Sequence, residues 1–298
     1  MKSVSVCIPC FNQTEYLKRT LASVIEQDYP EMEIIVSDDS TNDEVKKLVS
    51  SLDSQIKIKY FRNFPSLGPA KNWNHCIKIA SSDWIKILHH DDWLNGKDAL
   101  YKFMQAGSKF NSFLFSSAVS FNVKDDIKFN HIPPVDFLED LKTNPAVLFK
   151  HNLLGPPSST LFNRNAAVLF DERMKWLVDV DFYIHMLKYS SGKFTFIDET
   201  LITSVNHANH NVTKDSNNPE TELYEYFLLY NKLKELDLVD QSVLDRLIHL
   251  LSKYQIKSIF DLQPFLKDVF ISETEFKKII KSRSVLNFIK SIQSKLSK

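Results

Sequence analysis

Residues 84–92, Trp-Ile-Lys-Ile-Leu-His-His-Asp-Asp, join a short apolar run to two histidines and two aspartates. Three earlier runs have the apolar or alternating composition of strands, namely Val4–Ile8, Glu33–Val36 and Ile56–Phe61. Apolar residues at helical spacing separate these runs, and Phe113–Phe121 is predicted as a later strand. Strands that alternate with helices in this way predict an α/β fold. Its sheet is expected to be mostly parallel and doubly wound, with helices on both faces.

The predicted helices carry start signals. Thr14 is placed to cap the first helix, and Thr41 with Glu44 has the spacing of a capping box for the second. Gly68-Pro69 is predicted to open the third helix, because proline is favoured in the first helical turn.

Polar side chains follow each of the four predicted N-terminal strands. These groups are Pro9–Asn12, Ser37–Ser40, Arg62–Asn63 and His89–Asp92. The carboxyl ends of parallel strands meet at one edge of the sheet, where ligands of such folds bind. Two pairs of adjacent aspartates repel one another unless something positive binds, so the sequence predicts a cation at this edge.

Composition excludes several classes of function. The 298 residues include only five glycines, and the first strand–helix turn has none, which argues against a dinucleotide-binding turn or a phosphate-binding loop. Lys and Arg together number 37, as do Asp and Glu, so no nucleic-acid partner is expected. Carboxylate ligands favour Mg or Mn as the divalent metal cofactor, and imidazole would add affinity for Mn or Zn. With no apolar run long enough to cross a bilayer and no signal-peptide pattern, the chain is expected to be cytoplasmic.

Four segments in order resemble the family 2 glycosyltransferases of GT-A (Rossmann-like) fold. They are residues 4–12, 33–43, 68–74 and 88–92. The resemblance implies an inverting glycosyltransferase that moves a sugar from a nucleotide-diphosphate sugar, with a UDP-sugar the expected donor. The acceptor it implies is a hydroxyl of a glycan or of a lipid-linked glycan in bacterial surface-polysaccharide biosynthesis.

The same resemblance assigns roles in the first half of the chain. Donor-nucleotide binding falls to Pro9, Phe11, Asn12, Asp39, Lys71 and Asp91, with Asp39 accepting a hydrogen bond from the base. Asp92 is implied as the metal ligand, with Asp91 and His89 as further candidates. His89 stands where an aspartate is common in the family.

The second half is expected to supply the acceptor site and the base. In the loop Leu153–Thr160, Pro156 and Ser158 are implied as acceptor residues. Asp179 matches the catalytic base of the family, and Asp181 matches the following acidic position on the acceptor side. His207 and His210 lie in a segment that resembles a loop closing over the donor, and either histidine is a candidate for contacting the diphosphate.

Residues 1–215 are predicted to form the GT-A domain, with a nucleotide-sugar half at 1–120 and an acceptor half at 121–215. Residues 216–298 are predicted to be a helical C-terminal region. Its last part, Lys277–Lys298, is basic and amphipathic. Such a helix suggests peripheral association with the inner face of the cytoplasmic membrane, while packing of one stripe onto the enzyme is the alternative.

Two other functions remain open at this point. A metal-dependent nucleotidyltransferase or hydrolase would use the same carboxylates, although it would not need the distant Asp179 segment. A non-catalytic nucleotide-sugar-binding protein would have a damaged site, whereas the acidic positions here depart from the family pattern only at His89 and Val178.

Overall fold

The computed structural model describes residues 2–54, 56–107, 112–206 and 216–282. The strands are β1 Val4–Cys10, β2 Met32–Asp38, β3 Ile58–Arg62, β4 Trp84–Ile87, β5 Trp93–Leu94, β6 Phe113–Asn122, β7 Ile127–His131, β8 Thr160–Asn163 and β9 Thr195–Asn206. The helices are α1 Glu15–Ile25, α2 Glu44–Ser50, α3 Pro69–Ile79, α4 Ala99–Ala106, α5 Val135–Thr143, α6 Val178–Tyr189, α7 Pro219–Glu235, α8 Gln241–Lys253 and α9 Ile259–Leu266. Residues 273–282 are also helical.

The strands form one nine-stranded sheet in the order β3-β2-β1-β4-β8-β6-β9-β5, with β7 paired to β6. β1 pairs in parallel with β2 and β4, β2 pairs in parallel with β3, and β6 pairs in parallel with β9. β8 lies antiparallel between β4 and β6. The predicted α/β fold is therefore confirmed, but the sheet is mixed. Its pairs are parallel among β1 to β4, whereas β7 and β8 pair antiparallel with β6 and β5 pairs antiparallel with β9.

The register of the parallel strands brings their carboxyl ends together. Cys10 of β1 lies opposite Asp38 of β2. Past the strand ends, the Asp39 N–H donates to the Cys10 carbonyl at 2.9 Å, and the Asn63 N–H donates to the Asp38 carbonyl at 2.8 Å. The polar groups after β1, β2 and β3 therefore share one edge of the sheet, as the sequence predicts.

Alternate residues of the strands face two different helical layers. Val6 and Ile8 of β1 pack in a cluster with α1, α2 and α4, whereas Cys7 packs in the other cluster with α3, α6 and the C-terminal helices. A parallel sheet buried on both faces explains why these strands read as nearly continuous apolar runs.

The C-terminal helices contribute to the same core as the sheet. Leu223, Phe227 and Leu229 of α7 belong to one apolar cluster with strand residues of the N-terminal half. Phe276 and Ile279 are buried too, so the helix packs on the protein just before the basic segment and, through Ile279, at its start. The domain boundary at residue 215 stays a prediction. Most of Lys277–Lys298 lies outside the described residues.

Two helix starts differ in their caps. Gly68 precedes α3 and Pro69 lies in its first turn, as predicted. The predicted capping box of Thr41 and Glu44 does not form. Helix α2 begins at Glu44, its N-cap residue is Asp43, and no side chain caps it. Thr41 instead donates its backbone N–H to Asn12 Oδ1 at 3.0 Å. Within the described ranges, no helix has the length and apolarity needed to span a bilayer.

Candidate active site

A cluster of three side chains after β4 could hold a cation. His89, Asp91 and Asp92 each offer one ligand atom, and these atoms all lie within 4.8 Å of one another. Two buried atoms of this cation cluster, Asp92 Oδ2 and His89 Nε2, have no hydrogen-bond partner among the described residues. Buried polar atoms are normally paired, so the two orphaned acceptors fit a bound cation.

The electrostatics of the cation cluster fit the same interpretation. Burial, together with the charge of Asp91, raises the pKa of Asp92 to about 7. Burial lowers the pKa of His89 to about 4, so its ring is neutral at pH 7 and free to coordinate. Two carboxylates and one imidazole are a donor set that suits a divalent metal ion.

Residues from four other elements hold the cation cluster in place. Trp73 of α3 packs against the His89 ring with centroids 4.7 Å apart. Ser158 Oγ accepts the His89 N–H at 2.9 Å, and the Val205 N–H of β9 donates to Asp92 Oδ1 at 3.1 Å. Thr20 Oγ1 of α1 lies 2.8 Å from the carbonyl oxygens of His90 and Asp92.

Asp39 at the end of β2 is buried and accepts hydrogen bonds on both oxygens. Oδ1 accepts from the Leu67 N–H at 2.6 Å and from Asn63 Nδ2 at 3.2 Å. Oδ2 accepts from Ser66 Oγ at 2.6 Å and from the Gly68 N–H at 2.8 Å. These donors fill the usual acceptor capacity of a carboxylate, so contact with a nucleobase requires one of them to be exchanged.

Its neighbour Asp38 is buried as well, and its charge is met by the protein itself. Tyr60 donates its hydroxyl to Asp38 Oδ2 at 2.6 Å, and Arg62 Nη1 lies 3.3 Å from the same oxygen. The expectation that each aspartate pair requires a bound cation is therefore wrong for Asp38 and Asp39. For the cation cluster it stays a prediction, which is supported by Asp92 Oδ2 having no hydrogen-bond partner among the described residues.

The remaining predicted donor residues surround this edge. Pro9 is buried in β1, whereas Phe11 is 48% exposed beside it. Asn12 adopts a left-handed φ of 53°, and its N–H donates to Ser40 Oγ at 2.8 Å. Lys71 lies exposed in the first turn of α3. His207 and His210 lie outside the described residues.

The loop of residues 152–160 connects the cation cluster to Asp179. Ser158 contacts His89, as described above, and Asn152 Nδ2 donates to Asp179 Oδ2 at 2.8 Å. Between them, the Gly155 carbonyl accepts the Tyr183 hydroxyl at 3.1 Å. Gly155 has a φ of +90°, and an added Cβ would come within 3.3 Å of His131, so the turn favours glycine. Pro156 is half-buried in this loop.

Asp179 lies in the first turn of α6. Its Oδ1 accepts the Val180 N–H at 2.8 Å, and burial raises its pKa to about 7. Burial raises the pKa of Tyr183, and the charges of Asp179 and Asp92 add to this shift. Asp179 and Asp92 therefore both lie close enough to Tyr183 for their charges to affect its pKa. The raised pKa of Asp179 is in the range expected of a general base that works near neutral pH.

Asp181 is surrounded differently from Asp179. Lys232 Nζ of α7 lies 2.6 Å from Asp181 Oδ2, and His185 Nδ1 lies 3.3 Å from Oδ1. The carboxylate is buried in an ion pair between two helices. Its assignment to an acceptor site stays a prediction, and these contacts favour a structural role.

Sequence reasoning missed Lys86, which is fully buried in β4. Its Nζ donates to the Ser158 carbonyl and, at 3.0 Å, to the Thr160 carbonyl. Burial lowers the pKa of this amine well below its usual value. Lys86 thus fixes the 152–160 loop to the strand that leads into the cation cluster. The signal was present in the sequence as a single lysine inside an apolar strand.

Comparison with known proteins settles the family. The family model described as "Glycosyl transferase family 2" matches residues 5–170, more than half of the chain. The chain belongs to glycosyl transferase family 2. Its α/β architecture is the GT-A-like fold expected from the motifs.

Individual relatives are distant. A Mycobacterium tuberculosis protein, described as uncharacterized, is 28% identical over 204 residues, 64% of each chain. The Campylobacter jejuni GalNAc(5)-diNAcBac-PP-undecaprenol beta-1,3-glucosyltransferase is 34% identical over 40% of this chain and 39% of its own. The putative colanic acid biosynthesis glycosyl transferase WcaA of Escherichia coli is 21% identical over 87% and 88%. The chain spans less than two thirds of the length of the first two relatives.

Solved structures share the fold. The Staphylococcus aureus TarS fragment 1–349, crystallised with UDP-GlcNAc, superposes with a TM-score of 0.66 at 19% identity, over 89% of this chain and 78% of the other. A Pyrobaculum calidifontis mannosyltransferase, crystallised with GDP-Man and Mn²⁺, superposes with a TM-score of 0.56 at 13% identity, over 89% and 79%.

Proposed function

We propose that this glycosyltransferase moves a sugar from a nucleoside-diphosphate sugar, with UDP as the expected nucleotide, to a hydroxyl of a glycan or lipid-linked glycan, with inversion. The observation that carries the proposal is the connection, through the 152–160 loop, between the cation cluster and Asp179, whose pKa is raised to about 7. One end of this site suits a diphosphate with its cation, and the other end suits proton removal from an acceptor.

Asp179 is proposed as the general base. As the acceptor oxygen attacks the anomeric carbon, its proton passes to Asp179, and the bond from that carbon to the diphosphate oxygen breaks. Asn152 and the Val180 N–H orient the carboxylate. A single displacement with one carboxylate base gives inversion at the anomeric carbon.

His89, Asp91 and Asp92 are proposed as the residues that hold the divalent cation, Mn or Mg. Such a cation would neutralise the negative charge that develops on the departing diphosphate. Trp73 and Ser158 keep His89 in place for this role. Asp39, Asn12 and the residues beside them are proposed to line the nucleoside pocket.

The named relatives support a role in surface-polysaccharide assembly. Their descriptions include an undecaprenol-linked substrate and colanic acid biosynthesis, and TarS is described as a poly(ribitol-phosphate) beta-N-acetylglucosaminyltransferase. A lipid-linked acceptor would bring the enzyme to the inner face of the cytoplasmic membrane. The basic segment Lys277–Lys298 is a candidate for that contact.

The test combines binding with turnover. The chain is first screened for thermal stabilisation by UDP, GDP, CMP and dTDP, with and without Mn²⁺, because a ligand of the folded state raises the melting temperature. Nucleotide release is then followed with UDP-glucose, UDP-GlcNAc, UDP-galactose and GDP-mannose, with water or short glycans as acceptors.

Asp179→Asn should keep the nucleotide-induced stabilisation and lose turnover by about 1,000-fold, in the range expected for a general base. An Asp179→Asn variant that turns over at the native rate would move the base elsewhere. A chain that responds to no nucleotide would contradict the proposed donor class.

A further inference from the structure

Glu225 of α7 caps the start of the helix that carries Asp179. This buried carboxylate accepts three consecutive backbone N–H groups, from Lys175 at 2.8 Å, Trp176 at 3.0 Å and Leu177 at 2.7 Å. These residues come directly before α6, whose second residue is Asp179.

The first turn of a helix leaves backbone N–H groups without partners, and a nearby side chain usually supplies them. Leu177 occupies the N-cap position of α6 and has no polar side chain to do so. Glu225, about 50 residues later in the chain, instead accepts the N–H of this N-cap residue and those of the two residues before it, and so fixes the backbone that leads into α6. Burial raises the pKa of Glu225, and the three N–H bonds oppose that shift.

A second contact of α7 holds the same segment from its other side. Lys232 lies roughly two helical turns after Glu225, so both side chains project from the same face of α7. Its Nζ lies 2.6 Å from Asp181 Oδ2 and 2.9 Å from Asp171 Oδ2. In sequence, Asp179 thus lies between residues 175–177, which are bonded to Glu225, and Asp181, which is bonded to Lys232.

We propose that Glu225 is a positioning residue for sugar transfer, which fixes the start of α6 and so sets Asp179 against the 152–160 loop. It acts through the backbone of residues 175–177 and is not itself a catalytic residue. The proposal rests on the assignment of Asp179 as the base. It gives the C-terminal helix α7 a direct part in arranging the reaction.

The test compares Glu225→Gln with Glu222→Gln. Glu222 lies on the same helix and is also buried, but it accepts from Lys253 Nζ at 2.8 Å and Tyr254 Oη at 2.9 Å on the side of α8. Each substitution replaces one carboxylate oxygen by an amide NH2 group, which donates and cannot accept a hydrogen bond. Only Glu225→Gln leaves a backbone N–H of residues 175–177 without its acceptor.

Amide hydrogen exchange measures the cap without any substrate. Peptides that span residues 171–182 should exchange about tenfold faster in Glu225→Gln than in the native chain, and at the native rate in Glu222→Gln. Equal protection of this segment in all three proteins would overturn the proposal.

Kinetics then measure the effect on the base, with whichever of the four sugar nucleotides named above supports nucleotide release. In Glu225→Gln, kcat should fall by about 10- to 100-fold while KM for the donor stays within about twofold, because a displaced reacting group slows chemistry without loosening the donor. A loss of kcat that is the same in both glutamine variants would indicate general destabilisation and overturn the proposal.

The two proposals fail in different ways. If Asp179→Asn is inactive while Glu225→Gln keeps the native kcat, only the positioning role is overturned. If Asp179→Asn keeps its turnover, Asp179 is not the base, and the proposed positioning role of Glu225 is overturned as well.

Discussion

Two regions of the molecule hold carboxylates by different means. At the strand ends, Asp38 and Asp39 have partners at the same sheet edge, such as Arg62 at the end of β3 and Gly68 in the loop that follows it. Around α6, Asp179 and Asp181 have partners in other elements, namely Asn152 of the 152–160 loop and Lys232 of α7. The strand register is enough to arrange the first region, whereas the second depends on how the helices pack.

The two regions should respond differently to substitution, in ligand affinity and in the free energy of unfolding. In the cation cluster, Asp92 Oδ2 is buried with no hydrogen-bond partner among the described residues, so removing the charge of Asp92 should cost ligand affinity and not folding. In the second region, Asp179 and Asp181 are both bonded to residues of other elements, Asn152 and Lys232, although Asp181 Oδ1 has no hydrogen-bond partner among the described residues. Loss of one partner there should cost folding free energy as well as turnover.

The largest effect is expected from Asp92→Asn. Affinity for Mn²⁺ in the presence of UDP should fall by about 100-fold or more, measured by titration calorimetry, because a carboxylate ligand is lost. Without metal, the variant should be more stable than the native chain at pH 8, by roughly 2–4 kcal/mol at most.

The sign of this stability change follows from the raised pKa. The folded-state pKa of about 7 lies above the ordinary value of 3.8, so the native chain loses stability as the pH rises through 7. The advantage of Asp92→Asn should therefore disappear near pH 4, as urea denaturation at both pH values would record. An equal advantage at pH 4 and pH 8 would contradict the charge-based explanation.

Lys86→Met tests the contacts of the 152–160 loop, which belongs to the second region through Asn152 and Asp179. It leaves the Ser158 and Thr160 carbonyls without their buried donor, and unfolding free energy should fall by about 2–3 kcal/mol in urea. Lys102→Met is the control, because Lys102 pairs with Glu199 at 2.6 Å near the surface and should cost less than about 1 kcal/mol. Similar losses in the two variants would argue against a special role for the buried lysine.

The pH dependence of transfer tests the assignment of the base. Asp179 must be ionised to accept a proton, and burial raises its pKa to about 7. At saturating Mn²⁺, kcat should therefore fall about tenfold for each pH unit below that value. A rate that stays constant down to pH 5 would mean that a group of lower pKa accepts the proton.

The smallest effects are expected at two helix caps. Ser258 and Asp261 form a capping box at the start of α9, so Ser258→Ala should destabilise the chain by about 1 kcal/mol. Thr41→Ala should cost less than about 0.5 kcal/mol, because the capping box predicted there does not form. Thermal unfolding of both variants checks the difference, and a larger loss for Thr41→Ala would reverse the interpretation.

The sequence predicted the region that depends on strand order. β1 to β4, their shared edge and the His89–Asp92 cluster all follow from alternating periods and from polar residues after each strand. It did not predict β8, a strand of four residues that inserts antiparallel between β4 and β6. β4 is as short, but it is almost entirely apolar and is followed by a polar cluster, whereas β8 has the mixed sequence Thr-Leu-Phe-Asn. The place of β8 is set by pairing with strands far away in sequence.

The contacts of the second region were hidden for the same reason. Nothing local to residues 175–177 shows that Glu225 caps them, because the acceptor belongs to a distant helix. A weak signal exists in α7, where Glu222 and Glu225 interrupt an otherwise apolar buried face. Buried acidic residues on such a face require partners, but the sequence does not say which ones.

The position of β8 also bears on synthesis of the chain at the ribosome. When β1 to β4 have emerged, β4 can pair with β1 on one side, but its other neighbour, residues 160–163, is still to be translated. During that interval the nascent sheet presents an open edge, and such edges recruit other strands. The chain should therefore be most prone to aggregation and most dependent on chaperones while residues 88–160 are being made, and arrest of translation within that interval would reveal it.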